Sequence, residues 1–158
     1  MSSSSPTLGT LLRHLIELLD GEVEAAYEAA DLSWRPRYTP VLRALMSQGP
    51  QTIKAIALKI GISHSAVSQT VTQMVKDELV ELHPGKDARE RIVTLTPKTE
   101  QMVPRLQRQW AAVNLAADTL DQELSAPLSG VVKEAIAALS EQSFGQRIQA
   151  AAKTQTAS

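Results

Sequence analysis

Apolar residues recur at helical spacing from early in the chain. Leu8, Leu12, Leu15, Leu19, Val23, Ala26 and Ala30 form one stripe, and Glu17, Asp20, Glu24 and Glu28 lie mostly between them. The spacing predicts a long amphipathic helix over 8–32, weakened at Gly21 by about 1 kcal/mol relative to Ala. Trp34-Arg35-Pro36-Arg37-Tyr38-Thr39-Pro40 breaks the pattern. Thr39 is then placed to cap a second helix, with Pro40 at its first position, where a missing N–H costs nothing. Val41, Leu42, Leu45 and Met46 give that helix an apolar face, and Gly49-Pro50 ends it.

The next stretch changes period several times. Thr52 can cap a short helix with Ile53, Ile56, Ala57 and Ile60 inward, followed by a tight turn at Gly61. Ser63 can cap a fourth helix whose core side is Val67, Val71, Met74 or Val75, and Leu79. Val80-Glu81-Leu82 reads as a strand, Pro84 to Glu90 as a charged turn, and Ile92 to Leu95 as the returning strand. Thr96-Pro97 opens a long helix carrying Val103, Leu106, Trp110, Val113, Ala117 and Leu120, with Pro104 expected to kink it. Ser125 with Pro127 opens a last helix bearing Leu128, Val131, Val132, Ala135, Ile136 and Leu139. The Ser-rich residues 1–7 are expected to be disordered, and residues 146–158 loosely ordered.

The predicted fold class is mainly α with a small β-wing. Residues 8–32 form an N-terminal dimerisation helix, 33–97 a winged helix-turn-helix lobe, and 98–145 the C-terminal dimerisation helices. Two broad apolar surfaces motivate the dimer. Leu8, Leu11, Leu12 and Leu15 supply one, and Leu128, Val132, Ile136 and Leu139 the other. An intramolecular hairpin of helices in a monomer is the competing arrangement.

Composition narrows the chemistry. Hydrophobic residues are 43% and charged residues 21% of the 158, as in a folded soluble protein. No apolar run approaches the roughly 18 residues of a membrane span, so no membrane partner is expected. Met1 to Pro6 carries neither a basic start nor an apolar block, so export is not expected and the location is expected to be cytoplasmic. There is no cysteine, which excludes disulfides and thiol chemistry. His14, His64 and His83 are far apart, so no metal site is expected. Gly-rich phosphate loops, nucleophile elbows, His-Glu-x-x-His and carboxylate pairs in an apolar setting are missing from the sequence. No enzyme activity, catalytic residue or cofactor is expected.

The net charge of −1 conceals an asymmetry. Residues 1–32 carry a net −5, residues 33–110 a net +6, and residues 111–158 a net −2. A basic centre points to an anionic partner such as nucleic acid, or to unevenly charged solvated faces. The fourth helix favours the former. Its outer face is Ser63, His64, Ser65, Ser68, Gln69, Thr72 and Lys76, side chains that hydrogen-bond to phosphates and base edges. Lys86, Arg89 and Arg91 cluster at the hairpin near Asp87.

The chain here resembles the MarR family of bacterial winged-helix regulators. The resemblance rests on Ile62-Ser-His-Ser-Ala-Val-Ser-Gln-Thr-Val71, Leu79-Val80, Asp87-Ala-Arg89 and Leu95-Thr96-Pro97. It implies that helix 63–79 reads a DNA major groove. It also implies that Arg89 is the wing-tip minor-groove arginine, that Asp87 orients a nearby basic side chain, and that terminal helices of two chains intertwine. Glu78 and Thr99 stand where the family usually has glycine.

Double-stranded DNA and a second copy of the chain are therefore the expected partners, on a palindromic site, as a transcriptional regulator of the repressor type. Ser63, His64, Ser65, Ser68 and Gln69 are assigned to base edges and nearby phosphates. Thr52, Lys76, Lys86 and Arg91 are assigned to phosphates. In some members of the family a small-molecule effector binds near the dimer helices. Here His14, Trp34, Arg37, Tyr38 and Trp110 are the candidates, against ordinary packing of the aromatic rings. A protein–protein module on the same fold is the alternative function.

Overall fold

The computed structural model describes residues 5–156. The chain divides into two compact units, one reaching to Trp110 and one starting at Ala111. In the first, helix α1 (Leu8–Ala29) is capped by Thr7, whose hydroxyl accepts from the Thr10 N–H. It ends in a turn where Asp31 N–H donates to Glu28 O and Leu32 N–H to Tyr27 O, both at 2.9 Å. This Schellman geometry satisfies the last carbonyls and puts Asp31 at φ +54°. The helix is thus slightly shorter than the predicted 8–32.

A single 3-10 turn (Pro36–Tyr38) leads into α2 (Thr39–Gln48). Thr39 does not cap it, contrary to expectation. Its backbone is already helical, and its hydroxyl accepts from Trp34 Nε1 at 3.1 Å. Gly49, at φ +73°, ends α2. Then come β1 (Gln51–Thr52), α3 (Ile53–Ile60), α4 (His64–Lys76), β2 (Val80–Pro84) and β3 (Arg91–Leu95). The three strands are antiparallel in the order β1-β3-β2. Gln51 faces Val93 in β1–β3, a strand too short to announce itself in the sequence.

The core joins all these elements. Tyr27, Leu42, Ile56, Val71, Met74, Leu79, Val93 and Leu106 are buried together. Met74, not Val75, is the inward residue of α4's third turn, and Leu79 reaches the core from beyond the helix end. Helix α5 (Pro97–Glu123) continues through Pro104.

In the second unit, α6 (Leu128–Glu141) is capped from outside. Asp121 Oδ1 accepts from the Leu128 N–H at 2.7 Å, and Asp121 Oδ2 from the Ser129 hydroxyl at 2.6 Å. The expected Ser125 cap is thus replaced by a carboxylate one helix upstream. The Ser129 bonds, with help from the Leu128 N–H and Lys133, hold the Asp121 carboxyl below its usual range. A further helix, α7 (Phe144–Thr156), occupies the stretch expected to be loosely ordered. Residues 1–4 and 157–158 of the two expected tails lie outside the described residues.

Candidate nucleic-acid interface

The helix-turn-helix is set by three local devices. Thr52 Oγ1 accepts from the Ala55 N–H at 3.1 Å, starting α3. Gly61 takes the left-handed conformation at φ +71°, closing α3 and turning the chain where an L side chain would be strained. Ser63 Oγ accepts from the Ala66 N–H at 3.2 Å, starting α4. Val67, Val71 and Met74 then fix the rotation of α4 against the core.

That rotation leaves His64, Ser65, Gln69, Thr72 and Lys76 exposed and Ser68 half-buried. Several polar groups of this region are already engaged. Ser63 caps α4, Thr52 caps α3, and the Thr72 hydroxyl donates to Ser68 O at 2.8 Å. Ser65 and Lys76 are separated by about 16 Å along the helix axis, so they address different parts of any groove. Lys76 also edges a cleft at the end of α4.

The end of α4 is clamped by contacts between residues distant in sequence, a role the sequence did not assign them. Glu78 N–H donates to Val75 O at 3.0 Å and Leu79 N–H to Met74 O at 2.8 Å, a second Schellman turn, with Glu78 at φ +58°. The Thr99 hydroxyl, fully buried, donates to Leu79 O at 2.7 Å, and the Thr96 hydroxyl donates to Glu78 O at 2.8 Å. Tyr38 Oη donates to Asp77 Oδ2 at 2.6 Å, and Gln73 Nε2 to Asp77 Oδ1 at 3.0 Å. The Tyr38 bond is the largest influence holding the Asp77 carboxyl below its ordinary range. Burial, and then that same bond, raises the Tyr38 phenol above its own.

The wing tip is built as tightly. Gly85 N–H donates to Glu90 O at 3.1 Å and Glu90 N–H to Asp87 O at 3.0 Å. A Cβ on Gly85 would lie 2.7 Å from Glu90 Cβ, so the close approach requires glycine. Asp87 Oδ1 accepts from the Arg89 N–H at 3.1 Å, so its bond is to backbone rather than to a basic side chain. Arg91 Nη1 donates to Ala88 O and Glu90 O, both at 3.2 Å. Lys86 and Arg89 are exposed, and the Arg89 guanidinium has no hydrogen-bond partner among the described residues. Arg91 Nη1 is thus engaged by the loop, whereas Lys86 and Arg89 have no side-chain partner among the described residues.

Of the five residues considered for an effector pocket, Trp34, Arg37 and Tyr38 are linked by ring contacts. Tyr38 and Trp34 are core residues with their rings T-shaped at 5.5 Å, and Arg37 stacks 5.7 Å from the Tyr38 ring. Trp110 Nε1 donates to Tyr27 Oη at 3.1 Å, beneath Arg43. His14 is exposed on α1. Of the five, Trp34 lines a cleft of about 600 Å³ whose other walls include Glu24, Glu28, Asp31, Arg35, Asp77 and Lys98. Trp34, Tyr38 and Trp110 each have packing or hydrogen-bond partners within this unit.

The expected dimer residues fall in the two units separately. Leu8, Leu11 and Leu12 are exposed on α1 with Leu15 half-buried, and Val132, Ile136 and Leu139 are exposed on α6 with Leu128 half-buried. Among the described residues, no helix is long and apolar enough to cross a membrane. No cluster of three or more His, Asp or Glu side chains among them could hold a metal ion.

A capped helix, a left-handed glycine, a second helix with an open polar face and an arginine-tipped hairpin define a winged helix-turn-helix protein. Residues 31–90 match the model of the MarR family. Among curated proteins, none matches the chain. Solved structures share the fold over most of its length. The M. tuberculosis transcriptional regulator MOSR, solved in complex with DNA, is 20% identical with a TM-score of 0.67, over 92% of this chain and 98% of that one. The repressor CouR, bound to a 23-mer DNA duplex, is 18% identical with a TM-score of 0.61, over 85% and 92%. PcaV of Streptomyces coelicolor, solved with its natural ligand, is 18% identical with a TM-score of 0.61, over 88% and 98%.

Proposed function

We propose that this chain is a sequence-specific regulator of transcription that binds double-stranded DNA as a homodimer on a palindromic site. The observation that carries the reading is the pairing of the exposed polar face of α4 with an unpartnered Arg89 on an ordered hairpin tip. Side chains on α4 reach base edges in the major groove, while Arg89 enters the minor groove alongside, where the potential is most negative. Lys86 and Lys76 neutralise phosphates, and Arg91 holds the wing in shape. The DNA complexes of MOSR and CouR support this use of the fold. A DNA-binding role supports a cytoplasmic location, and no step of the reading requires enzymatic chemistry.

Two exposed apolar surfaces, on α1 and on α6, support the homodimer. Two recognition helices then meet successive major grooves about 34 Å apart. Repression follows from occupying a promoter. The ligand complex of PcaV supports an effector-responsive version of the same device. Such an effector acts by favouring a dimer with the wrong half-site spacing.

Selection from a random duplex pool tests the reading. Enrichment of a two-fold symmetric sequence is expected. Failure to retain any duplex at low salt would instead favour a protein–protein module on the same fold.

A further inference from the structure

We infer that Gln69 and Ala66 together read an A·T pair in each half-site, Gln69 through the adenine and Ala66 through the thymine methyl. The inference rests on the DNA-binding reading above and names what its recognition helix selects.

The side chains available on α4 decide the chemistry. Guanine is chelated at O6 and N7 by Arg or Lys, and the cytosine amino group is taken by Asp or Glu. None of these four residue types occurs from Ile62 to Val75. Lys76, in the last turn, is about 16 Å from Ser65 along the axis and belongs to the backbone. Ser63 and Thr72 are engaged by α4 itself, and the Gln73 amide donates to Asp77. His64 and Ser65 offer single bonds that suit either purine.

Gln69 is different. It is exposed, its amide has no hydrogen-bond partner among the described residues, and it offers a donor and an acceptor side by side. That pair matches adenine N6 and N7. Ala66 lies one turn earlier on the same face and is also exposed, an apolar group amid polar ones. Helix geometry makes positions three apart neighbours, so the Ala66 methyl falls beside whatever base pair Gln69 engages. An exposed methyl group in a groove matches the C5 methyl of thymine.

The test uses the full chain and duplexes selected from a random pool. Each adenine in the enriched half-site is replaced in turn by 7-deazaadenine, which lacks the N7 acceptor. Each thymine is replaced by deoxyuridine, which lacks the methyl group. One adenine is expected at which wild type loses about ten-fold or more in affinity, whereas Gln69→Ala loses nothing further. Its partner thymine is expected to cost wild type about four-fold, the worth of one buried methyl. The wild-type arms change only the DNA, so they stand even where a variant folds poorly. Selected half-sites with G·C pairs at every helix-sensitive position would overturn the inference and leave DNA binding intact. Indifference to both replacements would do the same. A pool that yields no bound duplex would overturn both.

Discussion

Tyr38 and Asp77, distant in sequence, are joined by a 2.6 Å hydrogen bond from the phenol to the carboxylate. Tyr38 ends the 3-10 turn before α2, and Asp77 is the first residue past α4. The bond therefore fixes the far end of the recognition helix to the helix beneath it. Hydrogen bonds to charged groups contribute about 1.5–3 kcal/mol, so Tyr38→Phe should lower stability by an amount in that range. The difference should also depend on pH. Asp77 has a folded pKa below its unfolded value, so its contribution is present above the ordinary carboxylate pKa and lost as pH falls through the lowered one. Urea melts of wild type and Tyr38→Phe should thus differ most near pH 7 and converge toward pH 3. A constant gap across that range would remove the ionised carboxylate from the account.

Glu78 occupies the left-handed position of the α4 Schellman turn, at φ +58°. An L side chain there costs about 1–2 kcal/mol that glycine avoids. Glu78→Gly should raise the urea midpoint, and Glu78→Ala should not, since alanine keeps the Cβ. The backbone carbonyl that receives the Thr96 hydroxyl is unchanged in both. DNA affinity of Glu78→Gly should equal that of wild type, because the residue lies beyond the groove-facing turns.

The wing makes an electrostatic signature. Arg89→Ala should weaken binding and reduce the slope of log affinity against log salt by about one, as expected for one lost charge contact. Gly85→Ala should weaken binding while leaving that charge in place, because its new Cβ would collide with Glu90 and disorder the tip. Anisotropy titrations at several salt concentrations separate the two. An unaltered slope for Arg89→Ala would take that residue out of the interface.

The legible parts of this chain were those where one side chain serves its own backbone. Thr52 and Ser63 start α3 and α4 by accepting from N–H groups three residues on, Gly61 turns the chain through its left-handed backbone, and each is readable as a cap or a breaker. The illegible parts depend on distant partners. Strand β1 exists because Gln51 and Thr52 meet Val93 and Ile92. Thr39 is diverted from capping by Trp34, and α6 borrows its cap from Asp121. Helix α7 carries a local signal of its own: Ser143 Oγ accepts from the Gln146 N–H while Gln146 Oε1 accepts from the Ser143 N–H, a reciprocal capping box. The clamp at the end of α4 brings together Tyr38, Asp77 and Thr99, and no local pattern announces such a meeting.

The proposed homodimer gives the last prediction. Leu8, Leu11, Leu12 and Ile16 are all about half exposed or more, a contiguous apolar surface that water does not favour. A charge placed there would be desolvated in any interface and repelled by its symmetry mate. Leu12→Glu should therefore shift the protein from dimer to monomer in sedimentation equilibrium, and Ile136→Glu tests α6 in the same way. Each monomer would retain its winged-helix lobe, whose core contains no residue of α1 before Val23. It would still bind a half-site, but without the second half held nearby. The loss of that effective concentration should cost about 10²-fold or more on the full palindrome and little on an isolated half-site. A wild type that sediments as a monomer at micromolar concentration would sink the symmetric reading, whatever the variants do.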